Sequence, residues 1–125
     1  MAQCYDYVNP FAPDDERIEY GFSRKADAVI FALSTNDTST GTELQDAIEA
    51  MIDMIRARNG ADVKIVILDN MMNSIHKTEL QAAAQAKGTY YLCVTQDRNG
   101  INNHPSVAGH EVFAQELTAF LRTIL

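Results

Sequence analysis

Residues 28–33 read AVIFAL, and this stretch decides the fold that the sequence predicts. It is a continuous apolar run, too short for a helix of its own, which is typical of a parallel strand buried on both faces. Two further apolar runs and three amphipathic segments follow in alternation: VKIVIL at 63–68, YYLCV at 90–94, and helices predicted over 42–59, 78–87 and 106–124. Strands that alternate with helices predict right-handed crossovers and an α/β fold with a parallel sheet.

Local signals place the ends of these helices. Thr42 and Gln45 match a capping box, and Asn59 with Gly60 closes the first helix. Ser106 is positioned to cap the last helix. The apolar residues expected to face inward from the first and last helices are Leu44, Ile48, Met51, Ile52, Ile55, Phe113, Leu117, Phe120, Leu121 and Ile124.

The chain has 125 residues, a length that suits a single domain over 1–125. Residues 1–24 have no clear period and contain two prolines, so an irregular segment is expected there, with a short extended piece at 3–8. Residues 25–125 would form the βαβαβα core.

The net charge of −7 excludes some partners. Nucleic acids and anionic membranes require a basic patch, and the sequence has none, so neither is expected to bind. No signal peptide and no apolar run of about 18 residues is present, which favours a cytoplasmic location by default.

No cofactor and no metal are expected from the sequence. Cys4 and Cys93 lack metal-ligand spacing, and Cys93 is interpreted as a small buried side chain. The acidic residues at 14–16 predict a solvated turn, with a calcium or magnesium site as the alternative. His76 is expected to be solvated, and so is His110 unless it helps to cap the last helix.

Polar residues cluster where each predicted strand ends, at 34–37, 69–70 and 95–97. The carboxyl ends of parallel strands meet at one edge of a sheet, where α/β proteins bind their ligands. The loop around His104 falls on the same edge. The sequence therefore predicts a functional site there.

The stretch at 102–110 reads NNHPSVAGH and offers an imidazole to that edge. Pro105 disfavours helical backbone at the residue before it, so His104 is kept in a loop while Ser106 opens the helix. A histidine held in this way suggests a catalytic base.

These blocks resemble those of a known family. The stretch Ser34-Thr35-Asn36-Asp37 after an apolar strand resembles the Gly-x-Asn-Asp block of the SGNH (GDSL) hydrolases, and residues 104–110 resemble their C-terminal histidine block. Residues 20–29 are similar to the segment that precedes the first of these blocks in bacterial carbohydrate esterases such as acetyl xylan esterases. The resemblance covers residues 20–125 and implies a three-layer, flavodoxin-like parallel sheet, of which this chain would hold a part.

The resemblance also implies an activity, which is hydrolysis of a small ester or an acetylated carbohydrate. His104 would be the general base and Asn36 an oxyanion donor, while Asp37 would support the loop. The family's Gly-Asp-Ser nucleophile block is missing, and Ser34 is the candidate replacement nucleophile. The acid that usually stands two or three residues before the histidine is replaced by Ile101 and Asn102.

A missing nucleophile block has two consequences. The chain would correspond to the C-terminal portion of such an esterase, and it would be weakly active or inactive by itself. In the family's strand order the absent strand is central, so residues 28–33 would form an exposed edge. That edge is expected to be covered by self-association, giving a homo-oligomer, or by residues 1–10 of the same or another chain.

Two other classes of function are alternatives to an esterase. The first is a non-catalytic α/β relic or a self-associating interaction module that keeps the scaffold. The second is a flavodoxin or phospho-receiver domain, but the acidic pair at 14–15 does not end an apolar strand as a receiver requires.

Overall fold

The computed structural model describes residues 5–6, 12–33, 38–69 and 71–125, which form a parallel sheet with helices on both sides. Its main elements are β1 (Ala28–Phe31), α1 (Gly41–Asn59), β2 (Lys64–Leu68), α2 (Lys77–Lys87), β3 (Tyr90–Leu92) and α3 (Val107–Ile124). The predicted α/β class, with three parallel strands and three helices, is confirmed.

The sheet has the order β1-β2-β3, so β2 is central. Val66 pairs in register with Ile30 of β1 and with Tyr90 of β3. The four residues of β2 from Ile65 to Leu68 are buried, as expected for a strand covered on both faces. Among the described residues β1 pairs only with β2, and of its four residues only Phe31 is fully buried.

The main core lies between the sheet and helices α1 and α2. The helix α1 buries the stripe that the sequence predicted, and α2 packs beside it through small residues that allow close approach. The buried residues of this cluster are Phe31, Leu44, Ile48, Met51, Ile52, Ile55, Val63, Ile65, Ile67, Leu80, Ala83 and Ala84.

The helix α3 lies on the opposite face. Val66 and Tyr90 are register neighbours and therefore share a face, and the Tyr90 ring makes an edge-on contact with Phe120 at 5.9 Å between centroids. Thr95, just beyond β3, donates to the Glu116 carboxylate from both its backbone N–H (2.8 Å) and its hydroxyl (2.5 Å). No residue of α3 is fully buried, so its apolar stripe is only half covered.

Two predicted helix starts differ in their outcome. The capping box at Thr42 is wrong, because α1 begins one residue earlier and the backbone N–H of Gly41 donates instead to Oε1 of Glu79 in α2 (2.9 Å). The Ser106 cap is confirmed, since its hydroxyl accepts from the N–H of Gly109 (3.0 Å).

The strands at the edges of the sheet are shorter than predicted. Strand β1 ends at Phe31 rather than residue 33, and β3 ends at Leu92 rather than residue 94. Ala32, Leu33 and Cys93 are all exposed, so the prediction of a buried Cys93 is wrong. The two apolar runs continue past their strands for different reasons: Ala32 and Leu33 line a cavity, whereas Val94 is buried although it follows β3.

His76 departs from the sequence-based expectation, whereas the acidic turn at 14–16 agrees with it. His76 is 5% exposed at the start of α2, not solvated as predicted. The acidic residues at 14–16 form a short 3-10 turn, and Asp14 pairs with Arg17 at 2.9 Å. The extended piece predicted over 3–8 falls mostly outside the described residues, as does Cys4.

Candidate functional site

A cavity of about 290 Å³ opens at the carboxyl ends of β1 and β2. The two strand ends supply one part of its wall, the loop after β2 a second part, and the turn that leads into α3 a third. The residues that line it are Ala32, Leu33, Leu68, Asp69, Met71, Met72, His104, Pro105 and His110. This is the edge at which the polar clusters predicted a site, and His104 and His110 are both part of the wall.

His104 is held by a tight turn. The residues before it form a single 3-10 turn, in which Asn102 and Asn103 adopt positive φ angles of 53° and 58°. Asparagine tolerates this left-handed conformation better than most residues. The N–H of Gly100 donates to the carbonyl oxygen of His104 (2.8 Å), and the N–H of His104 donates to that of Ile101 (3.1 Å). The turn therefore fixes the backbone at the histidine.

The imidazole of His104 is oriented by backbone oxygens. Its Nδ1 lies 3.2 Å from the carbonyl oxygens of both Ile101 and Asn102. A carbonyl oxygen can only accept a hydrogen bond, so these contacts favour a proton on Nδ1, and in the neutral imidazole the lone pair is then on Nε2. In a catalytic triad a carboxylate performs this orienting role. Here two neutral carbonyl groups orient the ring. They belong to Ile101 and Asn102, which replace the acid expected two or three residues before the histidine.

Asp97 joins two sides of the cavity. Its backbone N–H donates to the carbonyl oxygen of Met71 (2.9 Å), and its carboxylate accepts from the backbone N–H of Ser106 (2.5 Å). Hydrogen bonds from Ser106, and then from Asn99, hold the pKa of Asp97 below its ordinary value. Gly109 lies directly against this carboxylate, so a Cβ there would stand 2.7 Å from the Asp97 Cβ. The sequence placed Asp97 in a polar cluster but not in this bridging role.

Asp69 forms the buried polar part of the cavity wall. It directly follows β2, is 1% exposed, and accepts a hydrogen bond on Oδ2 from the Tyr91 hydroxyl (2.6 Å). Burial, and then the hydrogen bond to Asp69, raise the pKa of Tyr91 well above its usual range. A carboxylate placed directly after the apolar residues 65–68 of β2 was the sequence signal for Asp69. Nothing in the sequence identified Tyr91 as its partner.

The other predicted site residues have different outcomes. Ser34, Asn36 and Asp37 lie outside the described residues, although Leu33, which precedes them in the chain, lines the cavity. His110 is exposed on the first turn of α3 and reaches the same cavity as His104.

No serine belongs to the described part of the cavity wall. The hydroxyl of Ser106 caps α3, and that of Ser74 accepts from the side-chain amide of Gln96 (2.6 Å). These contacts give Ser106 and Ser74 structural roles.

A larger cleft of about 660 Å³ lies at the opposite end of the sheet and is called the amino-end cleft here. Its lining includes Lys25, Asp27, Ala61, Lys64 and the end of α3. His104, the predicted site residue that the structure describes, does not line it. Its size alone does not make it the site, because it lies far from the strand ends where the chemistry-bearing side chains meet.

Within the described ranges, no cluster of three or more histidine, cysteine, aspartate or glutamate side chains is arranged to hold a metal ion. The helices in those ranges are also too short or too polar to cross a membrane. Comparisons of the chain with protein-family models, curated proteins and solved structures found no match.

Proposed function

We propose that this chain is an ester hydrolase module of the SGNH type, in which His104 is the general base and the cavity beside it holds the ester. One observation carries the proposal. A solvent-accessible imidazole, whose Nδ1 faces two carbonyl oxygens, forms part of an apolar cavity at the carboxyl ends of parallel strands. On this proposal the sheet is the three-layer, flavodoxin-like arrangement of that family.

The chemistry requires a neutral His104 with a basic Nε2. The carbonyl oxygens of Ile101 and Asn102 favour the tautomer with the proton on Nδ1, which leaves Nε2 to accept a proton from a hydroxyl group or from water. Neutral carbonyls stabilise the imidazolium that follows less well than a carboxylate does. We therefore expect a slow hydrolase rather than an efficient one.

The nucleophile follows from position in the chain. Ser34 comes directly after Leu33, which lines the cavity, whereas the hydroxyl groups of Ser106 and Ser74 are engaged elsewhere. Within this sequence Ser34 is therefore the proposed nucleophile, with Asn36 as the proposed oxyanion donor.

Hydrolysis of p-nitrophenyl acetate tests the proposal. His104→Ala should abolish the activity of the pure chain, whereas His110→Ala removes the second imidazole of the same cavity and should retain most of it. Equal rates for wild type and His104→Ala would contradict a base role. Labelling with a fluorophosphonate, lost in Ser34→Ala, would identify the nucleophile, and labelling that survives this substitution would exclude Ser34.

A non-catalytic ligand-binding module is the second candidate. It is favoured by the absence of a serine from the described cavity wall. In that case the wild type would bind small apolar esters without hydrolysing them, and p-nitrophenyl acetate would disappear no faster than with free imidazole.

A further inference from the structure

We infer that the cavity beside His104 accepts a straight, uncharged acyl chain longer than acetyl, rather than an acetylated sugar. The inference rests on the proposed function for the ester itself, and it assigns the part of the ester that the cavity recognises. Three properties of the cavity carry it, namely the chemistry of its wall, the state of its polar groups and its size.

The wall is mostly hydrocarbon and thioether. The ends of β1 and β2 contribute Ala32, Leu33 and Leu68, and the loop after β2 contributes Met71 and Met72. Thioether side chains are unbranched and adaptable, so they follow the contour of a flexible chain. No lysine or arginine is part of the described wall, so a charged acyl tail would find no partner there.

The few polar groups in the described part of the wall already have a hydrogen-bond partner or belong to exposed residues. Asp69 is 1% exposed, and its Oδ2 accepts from Tyr91. His104 and His110 are both exposed, and on the proposed function they lie next to the position of the reacting ester group. A sugar ring brings several hydroxyl groups that must each be hydrogen-bonded when they leave water, and the described part of the wall has too few polar groups to replace that water.

The volume sets a chain length. A water molecule occupies about 30 Å³ in the liquid and a methylene group is of similar size, so a cavity of 290 Å³ corresponds to about nine or ten groups of that size. With room taken by the ester group, chains of about four to eight carbons should fill it. An acetyl group would contact only a small part of the apolar wall.

Binding of non-hydrolysable ester mimics to the whole chain tests this inference. The probes are straight-chain N-methylamides from acetamide to decanamide, with a methyl glycoside carrying one acetyl group as the sugar probe. Titrations followed by amide nuclear magnetic resonance should give an affinity that rises about fourfold per methylene until the cavity is full. The signals that move should be those of the cavity wall.

A pair of matched variants locates the binding. Ala32→Leu places a larger side chain in this cavity, and Ala61→Leu makes the same change in the amino-end cleft. Both alanines are exposed and lie outside helices and strands. The affinity for the hexanamide should fall about tenfold or more in Ala32→Leu and stay unchanged in Ala61→Leu.

The outcomes separate this inference from the proposed function. A length-dependent affinity that Ala32→Leu reduces supports the acyl chain even if His104→Ala leaves hydrolysis unchanged, a result that would contradict only the base role. An affinity that is independent of chain length, or tighter binding of the acetylated glycoside than of hexanamide, overturns the inference. So does an equal loss in Ala61→Leu.

Discussion

Tyr91→Phe tests how the buried wall of the cavity is held. The substitution removes one hydroxyl group, which donates at 2.6 Å to a carboxylate that is 1% exposed, and leaves the ring in place. A hydrogen bond to a charged group contributes about 1.5–3 kcal/mol, so the free energy of unfolding should fall by about 2 kcal/mol. That is a large fraction of the stability of a domain of this size.

The same pair predicts a dependence on alkaline pH. The pKa of Tyr91 is raised in the folded chain, whereas an unfolded tyrosine titrates near pH 10. The stabilising effect of the neutral phenol is therefore fully present below about pH 10. Above it the folded chain keeps a proton that the unfolded chain loses, so the free energy of unfolding falls by at most about 1.4 kcal/mol per pH unit. Tyr91→Phe should lack this loss.

Urea unfolding followed by circular dichroism, at pH 7 and at steps from pH 9 to 11, measures both effects. Tyr90→Phe is the matched control, because the neighbouring tyrosine makes no hydrogen bond through its hydroxyl within the described ranges and is 37% exposed. The reasoning is refuted if Tyr91→Phe is within about 0.5 kcal/mol of wild type, the range typical of surface changes, or if it loses stability above pH 10 as steeply as wild type.

Three further predictions concern the histidine turn, the bridge and the free edge. In Gly100→Ala a Cβ would stand 2.7 Å from the carbonyl oxygen of His104, so the turn must shift and esterase activity should fall about 100-fold. Gly21→Ala is the control, because its Cβ would meet nothing within 4 Å and should leave the activity unchanged. Equal activities of the two variants would contradict the role of the turn. Because the pKa of Asp97 is lowered in the folded chain, the stabilising effect of its carboxylate is present above about pH 4 and is lost as the pH falls further. Thermal melts from pH 6 to 2 should therefore show a smaller loss of stability at acid pH in Asp97→Asn than in wild type. Parallel curves for the two proteins would contradict this role of Asp97. If β1 (Ala28–Phe31) pairs with a second copy, light scattering at high concentration should give at least a dimer, and a strict monomer would exclude this pairing.

The core could be predicted from the sequence because its signal is local. The stripe from Leu44 to Ile55 repeats at helical spacing, and β2 has branched apolar residues from Ile65 to Leu68, so burial follows directly from these local patterns. The capping box predicted at Thr42 was wrong because the backbone N–H of Gly41 donates to Glu79, which is 38 residues away in the chain. Local spacing carries no record of a hydrogen bond to another helix.

The ends of the edge strands were harder to predict. Hydrophobicity extends through Leu33 and Val94, but strand pairing stops at Phe31 and Leu92. An apolar residue after a strand end lines a cavity or packs on a helix as readily as it continues the sheet, and only the neighbouring elements decide between these.

Sequence rules suffice to predict a histidine held in a loop at the carboxyl edge of a parallel sheet, since proline geometry and strand–helix alternation are both read from local sequence. The surroundings of that histidine, in contrast, depend on the packing of distant segments. This packing brought His110, Asp69 and the two methionines to the same cavity, and it gave Asp69 its partner Tyr91 from the neighbouring strand. Such contacts join residues far apart in the chain, and their geometry depends on the packing of the whole sheet rather than on any one segment.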